Sequence, residues 1–168
     1  MNRLFFACLA VLVAASVASA LEWVFLTTDA DSYVRYAYEG DDEGHVFDEK
    51  YADDNYGGAQ RLYVKRSLYK SSDIKIAYLH FNFHLLDDYG YVGADLVEAR
   101  LVFYAEEAAE KEKYVHVLGD PWDEMTVTYN TRPRLGERVA TFDYMDAGYN
   151  YIDLDVGPIA LFVDMPET

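Results

Sequence analysis

The sequence predicts an all-β fold, a β-sandwich of seven or eight short antiparallel strands. Three observations carry this. Apolar and polar residues alternate with period 2 in many short runs, clusters of turn-forming residues separate the runs, and no segment after residue 21 holds a 3.6-residue apolar stripe for three turns. Strands that bury one face each need a second layer, so a two-sided core follows.

The first twenty residues read differently. Arg3 gives a positive start, residues 4–17 are an apolar run, and Ala18-Ser19-Ala20 is a small-x-small cleavage pattern. This is the grammar of a secretory signal peptide, and the run is shorter than the ~20 residues that span a membrane. The expectation is a leader over 1–20 and a single secreted, extracellular domain over 21–168, with no membrane span in the mature chain. The only cysteine, Cys8, would leave with the leader, so no internal disulfide is expected.

The strands follow in order. Leu62 and Val64 are expected on the core side, with Tyr63 and Lys65 opposite. In 75–83, Ala77, Leu79, Phe81 and Phe83 share a face against Tyr78, His80 and Asn82. Ala99, Leu101, Phe103 and Ala105 share another, Val115 pairs with Val117, Val127 with Tyr129, and Ile152 with Leu154 and Val156. Turn clusters lie at 54–58, 87–90, 119–121 and 132–136. Residues 106–113 are polar or small and lie between two strand runs, so they read as a solvated hairpin connection.

Charge excludes some partners. The 168 residues carry 14 Lys and Arg against 30 Asp and Glu, a net charge of -16. Phosphate binding needs the opposite field, so nucleic acid is not expected, nor is adhesion to anionic lipid.

One stretch is specific enough to point to a family. Trp122-Asp123-Glu124-Met125-Thr126-Val127-Thr128-Tyr129-Asn130-Thr131-Arg132-Pro133 fits W-x-E-x-T-[IV]-T-[WY]-N-x-x-P. It resembles the secreted DNRLRE-type domain, carbohydrate-binding module family 96. Further similar signatures occur in the family's order: Ala30-Asp31-Ser32-Tyr33-Val34, Asn55-Tyr56-Gly57 followed by Leu62-Tyr63-Val64-Lys65, Ala77-Tyr78-Leu79-His80-Phe81, Ala99-Arg100-Leu101-Val102-Phe103-Tyr104, and Asp155-Val156-Gly157. The resemblance implies a jelly-roll β-sandwich that binds polysaccharide, with alginate a known ligand class. His80 and Val102 stand where the family is commonly basic, and Gly157 replaces a threonine. The family usually continues after this last signature through further strands, whereas this sequence stops at Thr168. The expectation is a sandwich short of the family's last strands, with three alternatives open: a naturally shortened chain, a truncated sequence, or an edge supplied by another chain. An uncovered edge would favour self-association.

Candidate binding residues come from charge placement and strand parity. Residues 61–75 hold Arg61, Lys65, Arg66, Lys70 and Lys75 against one acid, Asp73, in an otherwise acidic chain. Such a local strip can hold a uronate chain, because charges beyond ~8 Å are screened in physiological salt. Tyr63, Lys65, Tyr78, His80, Arg100 and Tyr104 are expected to point away from the core faces and to form a flat polar-aromatic platform for sugar rings. The bland reading is cross-strand pairing alone. Asp31, Asp53 and Asp54, in and beside the acidic loop 41–54, are candidate calcium ligands, since Ca²⁺ takes six to eight oxygens. Trp122 with Glu124, and Asn55-Tyr56-Gly57, read as architectural.

No nucleophile elbow, P-loop, dinucleotide fingerprint or zinc-binding histidine spacing occurs. The favoured reading is therefore non-catalytic polysaccharide binding, of an acidic polysaccharide such as alginate. The alternative is an acidic matrix or cell-surface structural protein that binds calcium or self-associates. A small lyase or hydrolase is the third reading, and it lacks a motif.

Overall fold

A computed structural model describes residues 2–13, 21–40, 46–69 and 71–165. Among the described residues nine strands run in order: β1 (Asn2–Val13), β2 (Glu22–Gly40), β3 (Val46–Lys50), β4 (Leu62–Tyr69), β5 (Ser71–Phe81), β6 (Leu96–Ala105), β7 (Lys113–Leu118), β8 (Leu135–Phe142) and β9 (Gly148–Leu154). Two short α-helices, α1 (Leu85–Asp88) and α2 (Val156–Val163), and a 3-10 turn (Gly93–Asp95) complete the described elements. Every ladder is antiparallel, and the chain is an all-β sandwich as the alternation predicts.

The long β2 serves two sheets. Its residues Glu22 to Thr27 pair with β1, and from Thr28 onward it pairs with β5, the change being marked by a register shift between Thr28 and Ala30. One run of strands is β2–β1–β6–β9 and the other β3–β2–β5–β4, and the two are joined again where Asn2–Leu4 of β1 pair with residues 62–64 of β4. β7 and β8 form a separate two-stranded ladder. Between the sheets, Leu9, Val11, Val13, Leu26, Leu96 and Ala99 meet Ile159 and Val163 of α2, while Tyr33, Leu62, Leu101, Phe103 and Met145 form a second cluster. Ala77, Leu79 and Phe81 pack on the second cluster, as their shared face predicts.

The structure places the leader-like segment inside the fold. β1 lies between β2 and β6, with Leu9, Val11 and Val13 in the core. An uncharged apolar run meets the demands of a buried central strand as well as those of a leader.

Three local expectations need correction. Val127 and Tyr129 lie in a loop rather than a strand, because Asp123 ties that loop: its carbonyl accepts from the Val127 N–H at 2.9 Å and its side chain from the Met125 N–H at 3.0 Å. Val156 begins α2 rather than ending a strand. Asp155 caps that helix, its carboxylate accepting from the Gly157 N–H at 3.1 Å, and Pro158 sits in the first turn where its missing N–H costs nothing. Residues 106–113 do not close a hairpin, because β6 pairs with β1 and β9 while β7 pairs with β8.

Candidate functional site

The outer face of the β2–β1–β6–β9 sheet carries a row of exposed aromatic side chains. Side chains alternate across a strand, and residues directly opposite share a face. With Leu9, Leu26, Leu101 and Ile152 packed inward, the outward set is Trp23, Phe25 and Thr27 on β2, Cys8, Ala10 and Leu12 on β1, Glu98, Arg100, Val102 and Tyr104 on β6, and Tyr149, Tyr151 and Asp153 on β9. Tyr149 and Tyr151 are each 62% exposed and Phe25 66%, with Trp23 and Tyr104 also at the surface.

This face has internal order. The Tyr104 and Tyr149 rings meet edge to face, centroids 5.4 Å apart. Arg100 Nε donates to Asp153 Oδ1 at 2.6 Å, and its guanidinium lies 5.5 Å from the centre of the Trp23 ring, reaching across β1. The β1 side chains beneath, Cys8, Ala10 and Leu12, are buried and form an apolar floor between taller walls. Burial also pushes the Cys8 thiol up from its ordinary pKa, so it is not a poised nucleophile. Aromatic faces offer apolar contact to sugar rings, and a fixed arginine–carboxylate pair offers donors and acceptors to hydroxyls.

Of the residues singled out in the sequence, Arg100 and Tyr104 belong to this face. Tyr78 does not. It is 3% exposed, in a cluster with Val34 and Val127 beneath Trp122, so its expected outward position is wrong: the loop carrying Trp122 covers that side of the sheet. His80 is exposed, its Nδ1 2.5 Å from Asp29 Oδ1. The Arg66 side chain and Lys70 lie outside the described residues.

Tyr63 and Lys65 also face the other way from expectation. Lys65 stands opposite Lys75, on the side of β5 that carries Ala77 and Leu79. Tyr63 packs on that core, edge-on to Tyr33 at 5.2 Å, with the Lys75 ammonium 4.6 Å from its ring centre. Arg35, Lys75 and Lys65 occupy one rung across β2, β5 and β4. Asp73 joins the two outer cations, accepting from Arg35 Nε at 2.9 Å and Lys65 Nζ at 2.8 Å. Burial alone would raise the Asp73 carboxyl, but these two donors hold it below its ordinary pKa. Burial lowers the Lys75 ammonium, partly offset by Asp73. Arg61 is 3.4 Å from Glu106, so several members of the basic strip are already engaged within the fold.

The proposed calcium ligands are dispersed. Asp31 lies on β2, its carboxyl raised by burial; Asp53 accepts from Asn130 Nδ2 at 2.8 Å, and Asp54 from the Tyr56 hydroxyl at 3.3 Å. Among the described residues no group of three or more acidic, histidine or cysteine side chains is placed to hold a metal ion.

The remaining motifs fit each other. Asn55 Nδ2 donates to the carbonyls of Glu124 at 2.9 Å and Val127 at 2.8 Å, while its Oδ1 accepts from the Gly57 N–H at 3.1 Å. A Cβ on Gly57 would sit 2.0 Å from the Glu124 carbonyl oxygen, so glycine is needed for this approach. The N-Y-G turn is thus the dock for the W-x-E-x-T loop, and both are architectural as expected.

The profile of carbohydrate-binding module family 96 matches residues 22–160. The chain belongs to this family, whose members bind carbohydrate and are in general non-catalytic. No curated protein and no solved structure matches the chain. Among the described residues no helix is long and apolar enough to cross a membrane.

Sequence reasoning missed Trp23, Phe25, Tyr149 and Tyr151. The signal was present: Tyr149, Tyr151 and Asp153 have the parity opposite to Ile152 and Leu154, and Trp23 and Phe25 alternate with Val24 and Leu26.

Proposed function

We propose that the protein is a secreted, non-catalytic module that binds polysaccharide along the outer face formed by β6 and β9. The observation that carries this is the row formed by Tyr104, Tyr149 and Tyr151 on adjacent strands, exposed and flanked by the Arg100–Asp153 pair. Tyr149 and Tyr151 are two residues apart on one strand, a spacing of roughly 6–7 Å. A sugar chain laid along β9 meets both rings, and Arg100 and Asp153 supply polar contacts at one end.

A second reading, an acidic polysaccharide such as alginate, is favoured by the rung of Arg35, Lys75 and Lys65 around the single carboxylate of Asp73. Affinity electrophoresis of the protein through alginate, pectin, carrageenan and neutral glucans tests both. Retardation by neutral glucans as strong as by alginate supports the tyrosine face alone. Retardation by alginate that Lys65→Ala abolishes supports the rung. No retardation by any of these polymers contradicts both.

A further inference from the structure

We propose that the slot between β2 and β6 is a strand-acceptor site, and that an apolar extended segment of a second polypeptide fills it once residues 2–13 are separated from the body of the protein. The inference concerns the fold's completion and is independent of which sugar the outer face binds.

Two descriptions of the same residues meet here. Residues 2–13 carry leader grammar with a small-x-small site at 18–20, and the family match begins at residue 22. Yet over Cys8 to Val13 this segment is paired with β2 on one side and β6 on the other. Leu9 stands between Leu26 and Leu101, and Val11 between Val24 and Ala99. Removing the segment leaves two facing strands with unpaired backbone groups and uncovers the core side chains Leu26, Ala99 and Leu101. The other described strands already sit in ladders, so none can fill the slot without vacating its own place.

The slot specifies its occupant. Inward positions hold Leu9, Val11 and Val13, each 2% exposed or less, and so require aliphatic side chains. Outward positions Cys8 and Ala10 lie between Thr27 and Phe25 on one side and Val102 and Arg100 on the other, which favours small ones. The partner segment is therefore uncharged for about six residues, with aliphatic side chains at the inward positions and small ones at the first two outward positions, and runs antiparallel to β6. Main-chain bonds on both sides supply affinity, and the alternation supplies selectivity.

The experiment starts from the full chain with a specific protease site placed between Val13 and Leu21. After cutting, the released peptide is removed in mild denaturant, and the body is returned to buffer with or without a synthetic peptide of residues 5–13 bearing a lysine tail. The body alone should bind an apolar-surface dye and melt roughly 10 °C or more below the uncut chain. The peptide should bind one to one and restore the melting midpoint, whereas a peptide carrying Leu9→Asp and Val11→Asp should do neither. A body that keeps the parental midpoint without its peptide overturns the proposal. So does a body that the peptide fails to rescue, or one that the charged control rescues equally well.

Discussion

The rings of Tyr104 and Tyr149 meet edge to face across the β6–β9 ladder, at a centroid distance of 5.4 Å and an interplanar angle of 84°. The contact fixes Tyr104 against β9 while leaving Tyr149 62% exposed. One ring thus braces the other, and a pair of this kind contributes about 0.5–1.5 kcal/mol beyond area burial. On the proposed function, Tyr149→Ala removes both a sugar contact and the brace. Affinity for the bound polysaccharide should fall about tenfold, the equivalent of about 1.4 kcal/mol, with a melting midpoint only a few degrees below the parent's. Calorimetric titration beside a thermal melt checks the two together.

Asp73 holds Arg35 and Lys65 in the cationic rung. Asp73→Asn should cost about 2–3 kcal/mol at neutral pH, because charge-assisted bonds are lost and three cations are left facing each other. The carboxyl is held below its ordinary pKa in the folded state. Its contribution is therefore complete above the unfolded value, about 3.9, and is lost as pH falls through the lower folded value. Denaturant melts from pH 7 to pH 2 should show parent and variant converging below about pH 4.

The Tyr78 hydroxyl is buried with no hydrogen-bond partner among the described residues. Leaving such a group unpaired costs about 1–3 kcal/mol. Tyr78→Phe should therefore be as stable as the parent or more so, by up to about 1 kcal/mol, with unchanged sugar affinity. A urea melt and one titration decide it, and a clear loss of stability would mean that the hydroxyl has a partner.

Gly57 lies so close to the Glu124 carbonyl that a methyl group has no room. Gly57→Ala should destabilise by about 2 kcal/mol or more by forcing the N-Y-G turn away from the loop that carries Trp122. An unchanged melting midpoint would show that the loop can shift freely.

Much of the fold was legible because period-2 alternation directly encodes which side of a sheet is buried. It worked for Ala77, Leu79 and Phe81, and for Leu101 and Phe103. It failed where a third layer intervenes. Tyr78 has the outward parity, but the Trp122 loop folds over it, and nothing in the local pattern reports a covering loop. It failed again at Tyr63 and Lys65, which face the core side near a polar rung that amphipathic side chains can line. Residues 2–13 show a different limit: one apolar composition satisfies both a leader and a central strand. At the site, Arg100 and Tyr104 were readable from parity, and Tyr149 and Tyr151 were equally so. Charge drew attention instead to the basic strip, where Asp73 and Glu106 engage much of the charge within the fold.

The central claim is that polysaccharide lies on the tyrosine face, and one comparison tests it most directly. Tyr149→Ala/Tyr151→Ala and Lys65→Ala are titrated calorimetrically with the polymer that retards the parent most. The account predicts a loss on the order of a hundredfold for the double tyrosine variant, at about tenfold per ring, and less than threefold for Lys65→Ala, with the double variant melting near the parent. Parental affinity in the double tyrosine variant, with binding lost in Lys65→Ala, would contradict it and place the ligand at the cationic rung.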